Sequence, residues 1–163
     1  MNIKLASILH ESVIDGPGLR HVVFVQGCSR HCQGCHNDDT WNPDQGTLIS
    51  VEQCFDTLIN NDNNLHQGTT FSGGEPFEQA EALTELGKAL KAYGHDIVIY
   101  TGAYLANLMA ATHPATRELL DIADWLIDGP FILAKKDISL KWCGSSNQRI
   151  WRKENGVFKK EDM

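Results

Sequence analysis

Thr69-Thr70-Phe71-Ser72-Gly73-Gly74-Glu75-Pro76 opens a segment that closes on Ile97-Val98-Ile99-Tyr100, and the order of elements between them sets the fold. Thr69–Ser72 reads as a short strand running into a glycine turn. After it Phe77, Ala80, Leu83, Leu86, Leu90 and Tyr93 recur at helical spacing, and Gly94 stops the helix. Ile97–Tyr100 is a second strand, apolar as a fully buried one must be, and Thr101-Gly102 ends it. Strand, helix, strand is the unit of a parallel sheet.

The same alternation extends both ways. Upstream, Ile3–Leu9 and His21–Gln26 read as strands around the turn Asp15-Gly16-Pro17-Gly18, and a cysteine-rich loop runs from Gly27 to about Trp41. Ser50 with Gln53 makes a capping-box pattern, opening a helix with Val51, Cys54, Phe55, Leu58 and Ile59 on one face. Downstream, helical stretches are expected near 103–111 and 114–122, with Pro114 in a first turn. Trp125-Leu126-Ile127 is a further strand, ended by Asp128-Gly129-Pro130. The expected fold is α/β with a mostly parallel sheet. The most loaded turns, Gly27–Cys35, Gly73–Pro76 and Thr101–Gly102, all follow strands, and ligands of α/β folds bind at the carboxyl ends of strands.

The chain has 163 residues, 42% hydrophobic and 8% aromatic, which suits one domain, 1–163, with its own core. That composition excludes disorder, collagen-like repeats and coiled coil. No apolar run approaches the roughly 20 residues of a membrane span, and Met1–Ser7 alternates like a strand with no signal-peptide block. A cytoplasmic protein without a membrane partner is expected. The formal net charge of −7 argues against general nucleic-acid binding. Residues 135–163 nevertheless hold eight lysines and arginines against four acids. This basic segment reads as a solvated tail packed on the domain or extending from it, or as a docking surface for an acidic partner or anionic cofactor.

Of five cysteines, three fall in Gly27-Cys28-Ser29-Arg30-His31-Cys32-Gln33-Gly34-Cys35-His36-Asn37, spaced C-x3-C-x2-C. Clustered thiols of this kind point to metal rather than to a disulfide framework. Four thiolates would close a [4Fe–4S] cluster; three leave one iron open, as a catalytic metal site requires. Gly27 and Gly34 suit a loop bent around an inorganic core. A Cys3His zinc site using His31 or His36, and a redox dithiol, are the alternatives. Cys54 reads as core and Cys143 as a surface thiol. His10, His66, His95 and His113 carry no motif and read as ordinary histidines.

The cysteine loop taken with Ser72-Gly73-Gly74-Glu75-Pro76 resembles the radical S-adenosylmethionine (SAM) enzymes. The resemblance implies that Cys28, Cys32 and Cys35 ligate a [4Fe–4S] cluster whose fourth iron takes the SAM amino and carboxylate groups. It further implies SAM contacts at Gly34, Cys35 and His36, and at the Gly73, Gly74 and Glu75 turn. Only glycine lets backbone carbonyls come close to an ammonium. Asp15-Gly16-Pro17-Gly18-Leu19-Arg20 and Cys35-His36-Asn37 are similar to the glycyl-radical-enzyme activases. Tyr100-Thr101-Gly102, Leu126-Ile127-Asp128-Gly129-Pro130-Phe131 and Gly144-Ser145-Ser146-Asn147-Gln148-Arg149 resemble the branch that activates anaerobic ribonucleoside-triphosphate reductase. The likeness runs from about Val13 to Ile150. One departure is Trp142-Cys143-Gly144, where that branch usually has arginine in the middle.

The resemblance implies an oxidoreductase on an incomplete (βα) barrel. A donor such as flavodoxin would reduce the cluster, SAM would be cleaved to methionine and a 5′-deoxyadenosyl radical, and that radical would take a hydrogen atom from a glycine of the reductase's large subunit. The cofactor carries the chemistry, so no catalytic residue beyond the cluster site is expected. The rivals are activation of another glycyl radical enzyme of the pyruvate formate-lyase type, a non-enzymatic iron–sulfur electron carrier, and a zinc-stabilised binding module. Arg20 is either an anion-steering residue or half of a structural ion pair. Asp15 is a turn stabiliser or functional, and Trp41 shields the loop or belongs to the core.

Overall fold

The computed structural model describes residues 1–162. Its strands are β1 (Asn2–Ser12), β2 (Leu19–Val25), β3 (Thr47–Ser50), β4 (His66–Gly73), β5 (Asp96–Tyr100), β6 (Trp125–Asp128), β7 (Arg149–Glu154) and β8 (Val157–Glu161). Four helices, α1 (Val51–Asn60), α2 (Ala80–Tyr93), α3 (Leu105–Ala110) and α4 (Pro114–Ile122), interrupt them. All eight strands share one sheet, in the order β3-β1-β2-β4-β5-β6-β7-β8.

The expectation of a mostly parallel sheet is corrected: the sheet is mixed. β2, β4, β5 and β6 pair in parallel, as their crossover helices require. On either side the pairings of β1 with β2 and β3, and of β7 with β6 and β8, are antiparallel. The reason is local. Residues 13–18 turn β1 straight back into β2, and Asn155-Gly156 does the same for β7 and β8, so neither return needs a helix.

Val23, Phe71, Ile99 and Leu126 face the helices and pack with Leu83, Leu86 and Leu90 of α2 and Leu119 of α4. These side chains are excluded from solvent, each contributing about 1.5–3 kcal/mol. Val98, Ile127 and Ile150 form a second cluster with Cys143, from the loop before β7. Cys143 is therefore not the surface thiol expected. The Tyr100 hydroxyl donates to the Trp142 carbonyl (2.8 Å), which holds that loop on the sheet, and burial pushes the Cys143 thiol up to about 11. Cys54 is core, as expected.

The helix boundaries follow their local chemistry. Ser50 Oγ accepts from the Gln53 amide while Gln53 Oε1 accepts from the Ser50 amide, both at 3.0 Å. Pro114 stands in the first turn of α4, and His113 Nδ1 accepts from Ala115 N (3.2 Å). Phe77 lies ahead of α2, in a 3-10 turn over Pro76–Gln79. Among the described residues no helix is long and apolar enough to cross a membrane.

Candidate functional site

The three loaded turns meet. A cleft of about 120 Å3 is lined by Cys28, Cys32 and Cys35 after β2, Gly73, Gly74 and Glu75 after β4, and Thr101 and Gly102 after β5. Parallel neighbours place their carboxyl ends at one edge, and this alone brings segments about 30 to 70 residues apart together.

The cysteine loop is shaped by its own backbone. Gly27 N donates to Thr40 O (2.6 Å) and Cys28 N to Trp41 O (3.1 Å). Gln26, just past the end of β2, donates from Nε2 to the Asp39 (3.1 Å) and Asn42 (2.8 Å) carbonyls. Within the loop Cys35 N donates to Cys32 O (3.1 Å). His31 and Gly34 take positive φ, 49° and 78°. Trp41 is not a core residue: half-buried, it stacks on His31 with ring centroids 4.7 Å apart and lines the cleft.

The glycine turn docks onto this loop. Gly74 N donates to Val25 O (2.8 Å) and Glu75 N to Gly27 O (2.9 Å). A Cβ on Gly73 would come within 2.5 Å of Val25 N, and one on Gly74 would run into the Gly27 carbonyl. The Glu75 carboxylate turns the other way, to the end of β5. It accepts from Thr101 Oγ1 at 3.0 Å, Gly102 N at 2.7 Å and Phe77 N at 3.1 Å, with Arg30 Nε 3.4 Å away. Burial raises its pKa, and the Gly102 and Phe77 amides pull it back. Glu75 thus fastens β4 to β5 beneath the cleft.

All five cysteines are free thiols, and Cys28, Cys32 and Cys35 are half-buried. Burial pushes the Cys28 thiol up, opposed by the Arg30 and His31 amides. These residues suit a cluster with three protein ligands. Three unpaired thiols and a wall of backbone share one cleft, while Cys54 lies in the core and Cys143 lines the adjoining space. That adjoining cleft, about 670 Å3, takes in His36, Tyr100, Phe131 and Trp142, and opens on the exposed side chains of Val13, Ile14 and Ile138. It is large enough for a nucleoside-sized molecule beside the thiols.

The supporting residues divide. Arg20 is a structural ion pair: fully buried, it donates from Nη2 to Asp96 Oδ1 (2.5 Å) and from Nε to Thr70 Oγ1 (2.8 Å). Asp15 stabilises its turn, accepting from Ser12 Oγ (2.5 Å). Gln148 binds the Gly129 carbonyl (2.9 Å), and Arg149 grips buried Asp128 through two bonds, 3.1 and 2.6 Å. The sequence reading missed that ion pair because nothing local couples residues 21 apart.

The chain matches the family described as "4Fe-4S single cluster domain" over residues 14–151. The anaerobic ribonucleoside-triphosphate reductase-activating protein of Escherichia coli K12 is 36% identical over 145 residues, 85% of this chain and 91% of its own. That of Enterobacteria phage T4 is 33% identical over 152 residues, covering 90% and 92%. That of Vibrio cholerae is 36% identical over 147 residues, covering 86% and 92%. In fold alone the chain is similar to QueE from Escherichia coli, with TM-score 0.52 at 18% identity over 63% of this chain and 53% of that one. Fold and cleft therefore define a single-cluster [4Fe–4S] protein. More narrowly, the chain belongs to the family of anaerobic ribonucleoside-triphosphate reductase-activating proteins.

Proposed function

We propose that the chain, acting as one domain, cleaves S-adenosylmethionine reductively and generates a glycyl radical on the large subunit of an anaerobic ribonucleoside-triphosphate reductase. The observation that carries this reading is the single cleft shared by three free thiols and the Gly73-Gly74-Glu75 turn, in a chain whose relatives are such activating proteins. Cys28, Cys32 and Cys35 are the proposed cluster ligands. A [4Fe–4S] cluster held there would pass on one electron from an external reductant for reductive cleavage of the SAM C–S bond.

The chain's own residues orient and shield. Gly73 and Gly74 line the cleft, and a side chain on either would collide with the Val25 or Gly27 backbone, so bare glycine keeps the turn where its carbonyls can accept from an ammonium. Cys35 and His36, which line the two clefts, and Gly34 beside them are the proposed contacts from the cysteine loop. Phe131, tilted 54° to His36 with centroids 5.7 Å apart, and Trp142 supply apolar surface that excludes water. Edge strands β3 and β8 stay apart, which fits an incomplete barrel open to a partner. A donor such as flavodoxin is the proposed reductant, and the cytoplasm the proposed compartment.

The test is 5′-deoxyadenosine formation by anaerobically reconstituted protein given SAM and dithionite. The native chain yields product and Cys32→Ala yields none. A fully loaded cluster without product, alone or with the reductase, would leave an electron carrier in its place.

A further inference from the structure

At the ends of the parallel strands away from the thiols, a second set of metal-ligating side chains comes together. His21 lies near the start of β2, His66 opens β4, His95 immediately precedes β5, and Asp62 follows α1. Asp62 Oδ1 is the hub, 3.2 Å from His21 Nε2, 3.1 Å from His95 Nε2 and 3.4 Å from His66 Nδ1. One ligand atom each from His21, Asp62 and His66 lies within 4.8 Å of the others, and all three side chains are at most 5% exposed. The cysteine loop is far off: four residue steps along β2 from His21 to Val25 already span about 13 Å, and the loop begins beyond them.

The outer hydrogen bonds are those that orient ligating histidines. His66 Nε2 meets the His10 carbonyl, which can only accept. Nε2 therefore carries the proton, and Nδ1 turns a lone pair toward the Asp62 side. There it accepts from Asn63 N (3.3 Å) and stands 3.4 Å from Asp62 Oδ1. His21 Nδ1 is 3.1 Å from His10 Nδ1, and His95 Nδ1 is 2.9 Å from Thr69 Oγ1, so each outward nitrogen has a partner. A cation between Asp62 and the imidazoles takes the carboxylate oxygen and the ring nitrogens as ligands. Imidazole with one carboxylate suits zinc and its transition-metal neighbours, whereas calcium and magnesium take oxygen.

We propose that His21, Asp62 and His66, with His95 beside them, bind one divalent transition ion of the zinc class, separate from the cluster. The ion clamps the turn after α1 to the starts of β2 and β4. The His21 and His66 rings are stacked, centroids 3.9 Å apart and 5° from parallel, and both reach Asp62 Oδ1.

The test uses cluster-loaded protein given zinc chloride, freed of loose ion by gel filtration and assayed for zinc and iron. One zinc per chain is expected beside four irons. In His66→Gln the zinc affinity falls at least about tenfold with iron unchanged. Zinc-edge X-ray absorption on the unaltered protein is the second measurement and needs no variant to fold: nitrogen and oxygen neighbours are expected. No retained zinc, equal retention by folded His66→Gln, or sulfur neighbours at about 2.3 Å would each overturn the site.

Discussion

Gly74 stands where the glycine turn and the cysteine loop touch, its position set by Val25 and Gly27 carbonyls that accept from successive amides. An added methyl group meets the Gly27 carbonyl, which is backbone and cannot swing aside. Gly74→Ala is therefore expected to cost about 1–3 kcal/mol and to displace the first residues of the loop. Thermal unfolding measures the first effect. The second appears as iron retention and 5′-deoxyadenosine yield that fall together. Normal yield at lowered stability would mean the turn supports the fold but not the chemistry. Cys28, Cys32, Cys35 and the glycine turn were legible because each is a short pattern whose spacing carries its chemistry. The fate of Arg20 was not: the choice between steering an anion and pairing with Asp96 rests on a partner 76 residues away.

Helices α1, α2 and α4 stood out because caps and stops are written within a few residues, as Ser50 with Gln53, Gly94 and Pro114 illustrate. The direction of strand pairing is decided by connections, so the antiparallel flanks were hidden. The β7–β8 hairpin did leave a local mark. Asn155 and Gly156 both take positive φ, 50° and 79°, and Asn-Gly is the strongest two-residue hairpin signal. The basic residues around it had drawn attention as a tail instead. Gly156→Val puts a β-branched residue into that left-handed position and is expected to cost about 1–3 kcal/mol. Because β8 is the outer edge of the sheet, SAM cleavage should persist once the variant is folded. A lost activity at intact stability would place the hairpin in the reaction.

Across the whole molecule the parallel strands run from histidines to thiols. The two ends were not equally visible: the thiols share one loop, whereas His10, His21, His66 and His95 meet only through the register of β1, β2, β4 and β5. Burial pushes His21 down to about 4, its bond to Asp62 resisting and His66, His10 and His95 adding to the fall; His10 and His95 are lowered as well. In the unfolded chain such a group protonates near 6.5. Below that pH the unfolded state binds the extra protons, so stability present above about 6.5 drains away as pH falls toward 4. Urea midpoints of chelator-treated, cluster-free protein should decline over that window, and less steeply in His21→Gln; a flat profile would refute this linkage. At the thiol end, the bonds from Gln26, Gly27 and Cys28 that close the loop are all protein to protein. None of these bonds uses a thiol, so oxidative loss of iron and sulfide is expected to leave the anchors of the loop in place while the thiols are kept reduced. Reloading of air-stripped protein with iron, sulfide and a thiol reductant is then expected without a denaturation step.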